Sequence, residues 1–320
     1  MSIVRVLQKL VLFIYLLFRF GSIRLAYTLA YYNIHLTHIK SITRDGKYIK
    51  FKNNNNKVSI KLLPAFNFSL NQLFILLENP ISNIDKTQDD MFYITINGLK
   101  FKVSSLSNMV ILYEIFIQKI YEVSLFQKNY VIIDIGMNVG VASIYFANMN
   151  WVDKVYGYEP FPNTFKEATN NISLNDKISN KIIPLNLGVS SVTCEKNIKL
   201  FDSGLLSAST IENNQNIDGE MPINQISVKL ISVNELITNV TNEQPHNKIL
   251  LKIDCEGEEY GIFDALDATN NLDNVDCILL EWHEKGIESL AAILKNKGFQ
   301  YYHYPNESLN SGMLYAFRIN

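Results

Sequence analysis

Cysteine is scarce in this chain, and its spacing excludes two kinds of site. Three cysteines occur among the 320 residues, at Cys194, Cys255 and Cys277. An odd number of cysteines without a close pair supports neither a disulfide framework nor a zinc site. A reducing compartment is therefore expected, and the predicted location is the cytoplasm.

Strong net charge is also absent. The 29 Lys and Arg residues nearly balance the 31 Asp and Glu residues, which leaves a formal net charge of -2 at pH 7. Without a basic excess, nucleic acid is not an expected partner. The composition, 48% hydrophobic and 19% charged, is that of a folded rather than a disordered chain. The length accommodates one large domain with additions, or two domains.

No apolar run near the start of the chain is long enough to cross a membrane. The uncharged stretch Leu10–Phe18 has nine residues between Lys9 and Arg19, whereas a spanning helix needs about 20. Extending the stretch to Tyr32 includes Arg19 and Arg24, and each costs roughly 2.5–3.5 kcal/mol at the membrane centre. A spanning helix is therefore disfavoured.

A helix that lies on a membrane surface is the alternative for this region. At about 100° per residue, four basic side chains share one broad helical face, as in helices at anionic membrane surfaces. They are Arg5, Lys9, Arg19 and Arg24. Leu12 and Leu16 fall in the same arc, so packing on its own domain or on a second subunit stays open. We predict an apolar and basic helix over residues 1–39 with peripheral contact to the inner face of the membrane. The oligomeric state is not predicted.

The glycine fingerprint of dinucleotide-binding proteins is incomplete. A β-branched run at 131–135 leads into the turn sequence DIGMNVG at 134–140, which shares its first two residues with the run. This pattern is typical of a buried parallel strand that ends in a tight turn. The fingerprint G-x-G-x-x-G would also require glycine at the positions of Asn138 and Val141. NAD is therefore a disfavoured cofactor.

The same turn has features that suit a different nucleoside. Gly136 can take backbone angles closed to other residues, and Gly140 lets the following helix approach the strand. About twenty residues later Glu159 ends a second strand, where an acid can hold ribose hydroxyls. Asp134 and Glu159 would then flank one nucleoside. An acid in the loop repels a pyrophosphate but attracts the ammonium group of S-adenosylmethionine (SAM), so SAM is the favoured cofactor. The alternative interpretation is that the glycines only make an ordinary turn between a strand and a helix.

A further strand, 182–187, contributes the last candidate for cofactor binding. Asn186 lies near its end, where the adenine ring is expected. Its amide either bonds the edge of the ring or caps the loop. The predicted cofactor-binding residues are Asp134, Gly136, Asn138, Gly140, Glu159 and Asn186.

A lysine interrupts the buried strand 249–253. A charge rarely stays buried without a partner, and Asp254 or Glu256 is the predicted partner of Lys252. A purely structural ion pair is one interpretation. The other is catalytic, because Asp254 lies at the carboxyl end of a strand expected beside the first one and faces the same cleft as Asp134.

The strand that begins at Cys277 ends in an acid and an imidazole. Both are expected on the rim formed by the carboxyl ends of the parallel strands, where Asp254 also lies. His283 is the predicted general base, because a neutral imidazole accepts a hydroxyl proton near pH 7, and Glu281 is predicted to orient it. Asp254 is the second predicted catalytic residue, whereas Glu256 and Glu281 are assigned to acceptor binding. Glu258 and Glu259 suit the first turn of the next helix and need no catalytic role. 

A divalent metal held by Asp254, Glu256 and His283 is the alternative use of this rim. The chain has neither an H-x-x-x-H nor a clustered-aspartate spacing here. Metal is therefore not favoured, and no residue is assigned as a metal ligand.

Four motifs occur in the order and spacing of one known family. They are IDIGMNVG at 133–140, YEPFPNTF at 158–165, LKIDCEGEE at 251–259 and EWH at 281–283. In these motifs the chain resembles the FkbM-type SAM-dependent methyltransferases, over about residues 106–320. The resemblance implies O-methylation, usually of a sugar or another hydroxyl of a glycan or secondary metabolite. Met137 departs from the family, which commonly has a small residue there.

The order of elements predicts the fold class. We expect an α/β fold with a Rossmann-like SAM-methyltransferase sheet that is mostly parallel and ends in an antiparallel hairpin. Before it, two hairpin signals predict a small β-rich region, and the second has Asn97-Gly98 at its turn. The predicted divisions are residues 1–39, 40–105 and 106–320.

Two functional classes stay open at this point. The first is an enzyme that methylates a hydroxyl-bearing small molecule or glycan. The second is a catalytically silent methyltransferase-like module that holds partners at a membrane through residues 1–32. The intact motif residues favour the enzyme, and a serine-containing stretch around Gly204 is a candidate acceptor-side loop.

Overall fold

The computed structural model describes most of the chain. The described residues are 3–31, 39–43, 48–51, 57–59, 82–86, 92–103, 105–125, 129–200, 224–306 and 310–318. The chain separates into two compact units, Met1–Ile120 and Tyr121–Asn320. The three divisions expected from the sequence stay a prediction of domain organisation, because compactness does not test independent folding. The asparagine run at 53–56, which the sequence predicts as an exposed turn, and the serine-containing stretch around Gly204 lie outside the described residues.

The first unit begins with two helices where one was predicted. Helix α1 (Ile3–Phe20) and helix α2 (Ile23–Tyr31) are separated at Gly21, which has a φ of 64°. A left-handed residue ends a helix, and glycine takes this conformation without strain, so the described part of the region 1–39 holds two helices where the sequence predicted one. None of the described helices is long and apolar enough to cross a membrane.

Two small antiparallel sheets follow in the first unit. The first contains β1 (Ile39–Ile42), β2 (Tyr48–Phe51) and β3 (Lys57–Ser59), and the second contains β4 (Ser82–Lys86), β5 (Phe92–Ile96) and β6 (Leu99–Val103). Asn97 and Gly98 join β5 to β6 with φ angles of 53° and 81°. Two positive φ angles are what a type I′ turn requires, so this predicted hairpin is confirmed. Helix α3 (Leu106–Tyr113) then continues as a π-helical segment (Glu114–Gln118).

The second unit contains a seven-stranded sheet with helices between its strands. In chain order the elements are β7 (Tyr130–Ile135), α4 (Val141–Ala147), β8 (Val152–Tyr158), α5 (Pro162–Ser173), α6 (Asp176–Ser179), β9 (Ile182–Leu185), β10 (Gly188–Ser190), β11 (Cys194–Leu200), β12 (Asn224–Ser232), α7 (Val233–Glu243), β13 (Lys248–Ile253), α8 (Glu259–Asp267), a 3₁₀ turn (Asn271–Asn274), β14 (Cys277–His283), α9 (Glu288–Asn296), β15 (Phe299–Asn306) and β16 (Ser311–Arg318).

The strand order confirms the predicted Rossmann-like fold. The order is β15-β16-β14-β13-β7-β8-β9, and the five strands from β14 to β9 are parallel. The last two strands form the antiparallel terminal hairpin. β13 lies directly beside β7, so the two motif-bearing turns after these strands meet at one edge of the sheet. A separate three-stranded sheet, β10-β12-β11, was not predicted.

The two faces of the central strands differ in chemistry because side chains alternate along a strand. Val131, Ile133 and Ile135 on β7 pack with apolar residues of β13, β14 and helices α7, α8 and α9 in one buried cluster. Asp134 lies on the opposite face, and so does Lys252, its register partner on β13. The hydrophobic cluster therefore anchors the strands while the other face carries buried charge.

The turns after β7 and β13 touch at Gly136. This residue has a φ of 78°, and a Cβ added to it would lie 1.7 Å from the backbone oxygen of Asp254. Both the backbone conformation and the lack of a side chain are therefore required at this position.

We predict that Gly136→Ala destabilises the second unit more than Gly298→Ala. Both glycines have positive φ angles, so both substitutions carry a strain of about 1–2 kcal/mol. Only Gly136→Ala also pushes a methyl group into the Asp254 carbonyl, because at Gly298 the nearest heavy atom would lie 3.8 Å away. Thermal unfolding of the two variants measures the difference, and equal losses would contradict the close contact.

Candidate active site

Backbone hydrogen bonds hold the turn after β7. The N–H groups of Gly136 and Met137 both donate to the carbonyl oxygen of Tyr158 on β8, at 3.1 and 2.8 Å. Gly140 has a φ of 84°, and a Cβ added there would lie 3.3 Å from the Cβ of Ala168 on α5. The glycines of this motif therefore set a tight turn against β8 and α5, as the sequence predicted for a close approach.

Glu159 is a buried carboxylate at the mouth of this turn. Its Oε2 accepts a hydrogen bond from the backbone N–H of Asn138 at 3.0 Å, and its Oε1 accepts one from Phe161 at 3.0 Å. The exposed Asn138 has a φ of 52°, which aims its N–H at the carboxylate. Two predicted cofactor-binding residues are thus joined directly, with the carboxylate orientation set by the backbone.

Burial raises the pKa of the Glu159 carboxyl to about 7. The two backbone hydrogen bonds and the positive charge of Lys252 favour the ionised form, but they do not outweigh the loss of water around the charge. The group therefore changes its protonation state near neutral pH. New hydrogen-bond donors near the carboxylate would favour its ionised form.

Met137 fits because β8 has a glycine beside it. Its side chain is buried, and a Cβ added to Gly157 would lie 2.3 Å from the Met137 sulfur. The larger side chain at this family position is therefore accommodated by the glycine on the neighbouring strand.

Asn186 joins the loops that follow β8 and β9. Its Nδ2 lies 2.8 Å from the carbonyl oxygen of Glu159 and 3.1 Å from that of Pro160. The sequence left two roles open for this amide, bonding to the adenine ring and capping of the loop, and these hydrogen bonds correspond to the second. Its amide donor fixes the segment that carries Glu159, so a contact of Nδ2 with an adenine ring would require these bonds to break.

Asp134 is enclosed in the interior of the protein. Its Oδ2 accepts a hydrogen bond from the Ser143 hydroxyl at 2.6 Å, and its Oδ1 lies 3.0 Å from the Lys252 ammonium. Because the residue is fully buried and both carboxylate oxygens have partners, it stabilises the turn from the protein interior and does not face the solvent. This placement differs from the expectation that Asp134 contacts the nucleoside directly.

Lys252 connects the strands to the turn. Besides Asp134, its ammonium donates to the carbonyl oxygen of Gly136 at 2.7 Å and lies 3.8 Å from the Asp254 carboxylate. Burial disfavours its charge, but Asp134 and Asp254 outweigh this effect and raise the pKa of the Lys252 ammonium. The sequence predicted Asp254 or Glu256 as the partner, whereas the closest carboxylate belongs to Asp134.

The turn after β13 projects two carboxylates. Asp254 is partly exposed, and Glu256 is exposed with a φ of 54°, a conformation uncommon outside glycine. Gly257 follows with a φ of 107°, a conformation that glycine adopts without strain, so the chain leaves the strand sharply. These angles place Asp254 and Glu256 on the same rim as the end of β14.

His283 is held by Glu259, a residue to which the sequence pattern assigned no catalytic role. The buried Glu259 accepts hydrogen bonds from the backbone N–H of His283 at 2.7 Å and from that of Gly257 at 2.7 Å. The same carboxylate lies 3.2 Å from His283 Nδ1. The second ring nitrogen, Nε2, lies 3.7 Å from Glu256 and 3.9 Å from Glu281. Glu259, rather than the predicted Glu281, therefore orients the imidazole.

The carboxylates around His283 hold a proton on it. Burial lowers the pKa of the imidazole, but the hydrogen bond to Glu259 and the charges of Glu259, Glu256 and Asp254 raise it to about 9. Nδ1 bonded to Glu259 leaves Nε2 as the nitrogen that faces the rim. The base form of this ring therefore becomes dominant only at alkaline pH, whereas the residue type alone predicted it near pH 7.

The rim also has the composition of a cation site. Asp254, Glu256 and His283 offer one ligand atom each, and these atoms lie within 4.8 Å of one another. These are the same three residues that the sequence offered as the metal alternative. Glu259 occupies the position of a carboxylate that orients a histidine ligand through its other nitrogen.

Three residues of this site carried no usable signal in the sequence. Glu259 contacts a histidine 24 positions away, Ser143 on α4 donates a hydrogen bond to Asp134 on β7, and Gly157 leaves room for the Met137 side chain. The expected parallel arrangement of β13 and β14 indicated only that the turn after β13 would lie close to the end of β14.

We predict that Lys252→Met destabilises the protein by about 3–5 kcal/mol, because it leaves the buried Asp134 carboxylate without its cation. The double variant Lys252→Met/Asp134→Asn should recover a large part of this loss, since the uncompensated charge is gone. Denaturant unfolding of both single variants and the double variant measures the coupling free energy. Additive losses would show that the two side chains do not interact.

Two named relatives resemble this chain in sequence. Methyltransferase sdnD of Sordaria araneosa is 25% identical over 221 residues, which cover 62% of this chain and 85% of that protein. Methyltransferase 1 of Beauveria bassiana is 26% identical over 198 residues, which cover 58% of this chain and 78% of that protein. Both alignments extend over most of the relative's length.

A solved structure and a family model complete the comparison. The crystal structure of methyltransferase FkbM from Methylobacillus flagellatus KT aligns with a TM-score of 0.43 and 11% identity, over 61% of this chain and 45% of that one. The family model described as methyltransferase FkbM domain matches residues 134–301, which include the turn after β7, the rim and His283. Since this match covers more than half of the chain, the protein belongs to the FkbM methyltransferase domain family.

Proposed function

We propose that this methyltransferase uses SAM as its methyl donor and methylates a hydroxyl oxygen, with a sugar of a glycan or glycoconjugate as the acceptor. The observation that carries the proposal is the buried Glu159 carboxylate, fixed by the N–H groups of Asn138 and Phe161 beside the glycine turn. A carboxylate at the end of the second strand is positioned to accept hydrogen bonds from both ribose hydroxyls of SAM.

The charge of the rim supports the choice of donor. Asp254, Glu256 and Glu281 present carboxylates on the edge of the sheet where the cofactor turn ends. SAM carries a positive sulfonium and an ammonium, so acidic side chains nearby attract it. A pyrophosphate would be repelled by the same carboxylates.

The proposed reaction is a direct displacement. The acceptor oxygen forms a bond to the methyl carbon while the carbon–sulfur bond breaks and the sulfur keeps the electron pair. The hydroxyl proton leaves to a base on the protein. Positioning of the acceptor in line with the sulfonium supplies much of the acceleration, and the base adds about a hundredfold to ten-thousandfold.

His283 is the proposed base, assisted by Asp254. Glu259 holds Nδ1 of the ring, which leaves Nε2 to accept the hydroxyl proton and to share it with the carboxylates beside it. We assign Glu256 and Glu281 to the binding of other acceptor hydroxyls, since their carboxylates lie 3.7 and 3.9 Å from Nε2 of His283. Sugars offer several hydroxyl donors to such a set of carboxylates, which is why the sugar class is proposed.

We predict that Glu159→Gln weakens SAM binding by at least about tenfold, because hydrogen bonds to a charged group contribute roughly 1.5–3 kcal/mol. The raised pKa of Glu159 adds a pH dependence. Below about pH 7 the carboxyl is protonated, so wild-type affinity should rise as pH increases through about 7 and then level off. Calorimetric titration with SAM at several pH values measures both effects.

A matched control for this variant is Glu243→Gln, the same substitution at an exposed position on α7. It should leave SAM affinity and its pH dependence unchanged. SAM binding that is equally strong in folded Glu159→Gln would place the ribose elsewhere. A wild-type protein that binds no SAM would support the silent scaffold instead.

We predict that His283→Gln keeps SAM affinity but lowers kcat by about a hundredfold to ten-thousandfold. In the wild type the base form of His283 becomes dominant only as pH rises through about 9, so kcat/KM should increase up to that pH. Glu259→Gln removes a charge that raises this pKa and should move the increase to lower pH. The acceptor for these assays is found by mass-spectrometric screening of hydroxyl compounds with SAM.

Other outcomes would assign the chemistry differently. If kcat/KM is independent of pH in this range and is lost in Asp254→Asn, the base is Asp254. If activity disappears with a chelator and returns with a divalent cation, Asp254, Glu256 and His283 hold a metal ion.

A further inference from the structure

Helix α1 presents an apolar face to the solvent. We define the apolar stripe as Leu7, Leu10, Val11, Ile14, Tyr15 and Phe18, all of which are exposed. Their spacing of three or four residues places them on one side of the helix, whereas Leu16, on the opposite side, is fully buried. Val11 is 67% exposed and Phe18 is 87% exposed. An apolar helical stripe normally faces a core, and no residue of the described part of the chain covers this one.

Helix α2 has the same character. It packs against α1, and it buries Ala26 and Leu29 while it exposes Ile23 and Tyr27. The two helices therefore bury small and aliphatic residues and leave large apolar ones outside. This arrangement exposes more apolar surface than the isolated apolar residues that are normal on proteins.

The segment that carries the apolar stripe is basic. Residues 1–44 contain no Asp or Glu, and the first acidic residue is Asp45, although the whole chain has a net charge of -2. The basic residues of this segment are Arg5, Lys9, Arg19, Arg24, Lys40 and Arg44. The exposed Arg19 lies at the edge of the apolar stripe, where its guanidinium donates to the Tyr15 hydroxyl at 3.0 Å and lies over the Tyr15 and Phe20 rings.

We propose that α1 and α2 bind the surface of an anionic phospholipid bilayer. The apolar stripe would lie at the boundary between headgroups and acyl chains, and Tyr15 and Arg19 would face the phosphates. Amphipathic rings are favoured at this depth, and an arginine can extend its guanidinium from an apolar surface to the headgroups. Apolar contact and attraction between basic residues and anionic lipid then act together.

The charge distribution distinguishes a bilayer from a second copy of the chain. Two copies that paired through the apolar stripe would add the Arg19 guanidinium groups at its edge to the contact, and residues 1–44 of neither copy supply an acidic residue. Such like-charge contact is unfavourable, whereas an anionic bilayer supplies opposite charge to Arg19 at the edge of the apolar stripe. The bilayer is therefore the partner that satisfies both the apolar stripe and the basic charge.

Co-sedimentation of the full chain with vesicles tests the proposal. Phosphatidylcholine vesicles are compared with vesicles that also contain phosphatidylserine, and we expect binding to the anionic vesicles that weakens with added salt. Val11→Glu should reduce this binding by about tenfold or more, because it puts a charge into the apolar stripe. Val192→Glu is the matched control, since Val192 is 57% exposed in the second unit, and it should bind as the wild type does.

Several results would overturn the proposal. Equal binding to both kinds of vesicle, or full binding by Val11→Glu, would remove the anionic surface as the partner. A change of molar mass in light scattering of Val11→Glu without vesicles, with no vesicle binding by the wild type, would assign the apolar stripe to a second copy. Phe18→Ser repeats the test without a new charge, and circular dichroism confirms that each variant keeps its helices.

Discussion

The ion pair between Lys252 and Asp134 is the interaction on which the candidate site depends. The parallel register of β7 and β13 places these residues opposite each other, so their side chains meet on the same face of the sheet. From there the ammonium reaches the carbonyl oxygen of Gly136 and the neighbourhood of Asp254. One buried cation thus joins the glycine turn after β7 to the proposed catalytic rim. Because a buried charge is costly when it is unpaired, this geometry is strongly constrained.

A second buried carboxylate, that of Glu259, connects two turns at the rim. Glu259 is fully buried and accepts hydrogen bonds from Gly257 and His283, so it fixes both the exit from β13 and the end of β14. The same interactions that stabilise the fold therefore orient the imidazole. They also keep a proton on His283, which links the protonation state of the proposed base to the structure of the turn.

The two units contribute different physical properties. The second unit carries the matched methyltransferase region, with buried charges held by short hydrogen bonds on one face of a parallel sheet. The first unit carries the apolar stripe and the basic segment, which have no role in the proposed methyl transfer. Membrane association and methyl transfer are therefore separate hypotheses that rest on different residues.

The sequence alone determined the features that depend on neighbouring residues. The strand-turn-helix at 131–147, the turn at Asn97-Gly98, the terminal hairpin and the family resemblance all follow from local periodicity, turn chemistry or motif order. Tertiary structure decided which groups meet: Asp134 with Lys252, Glu259 with His283, and Met137 with Gly157. Those pairings depend on strand register and side-chain direction across distant segments. A single sequence does not contain that information in any local pattern, because each partner is chosen by packing.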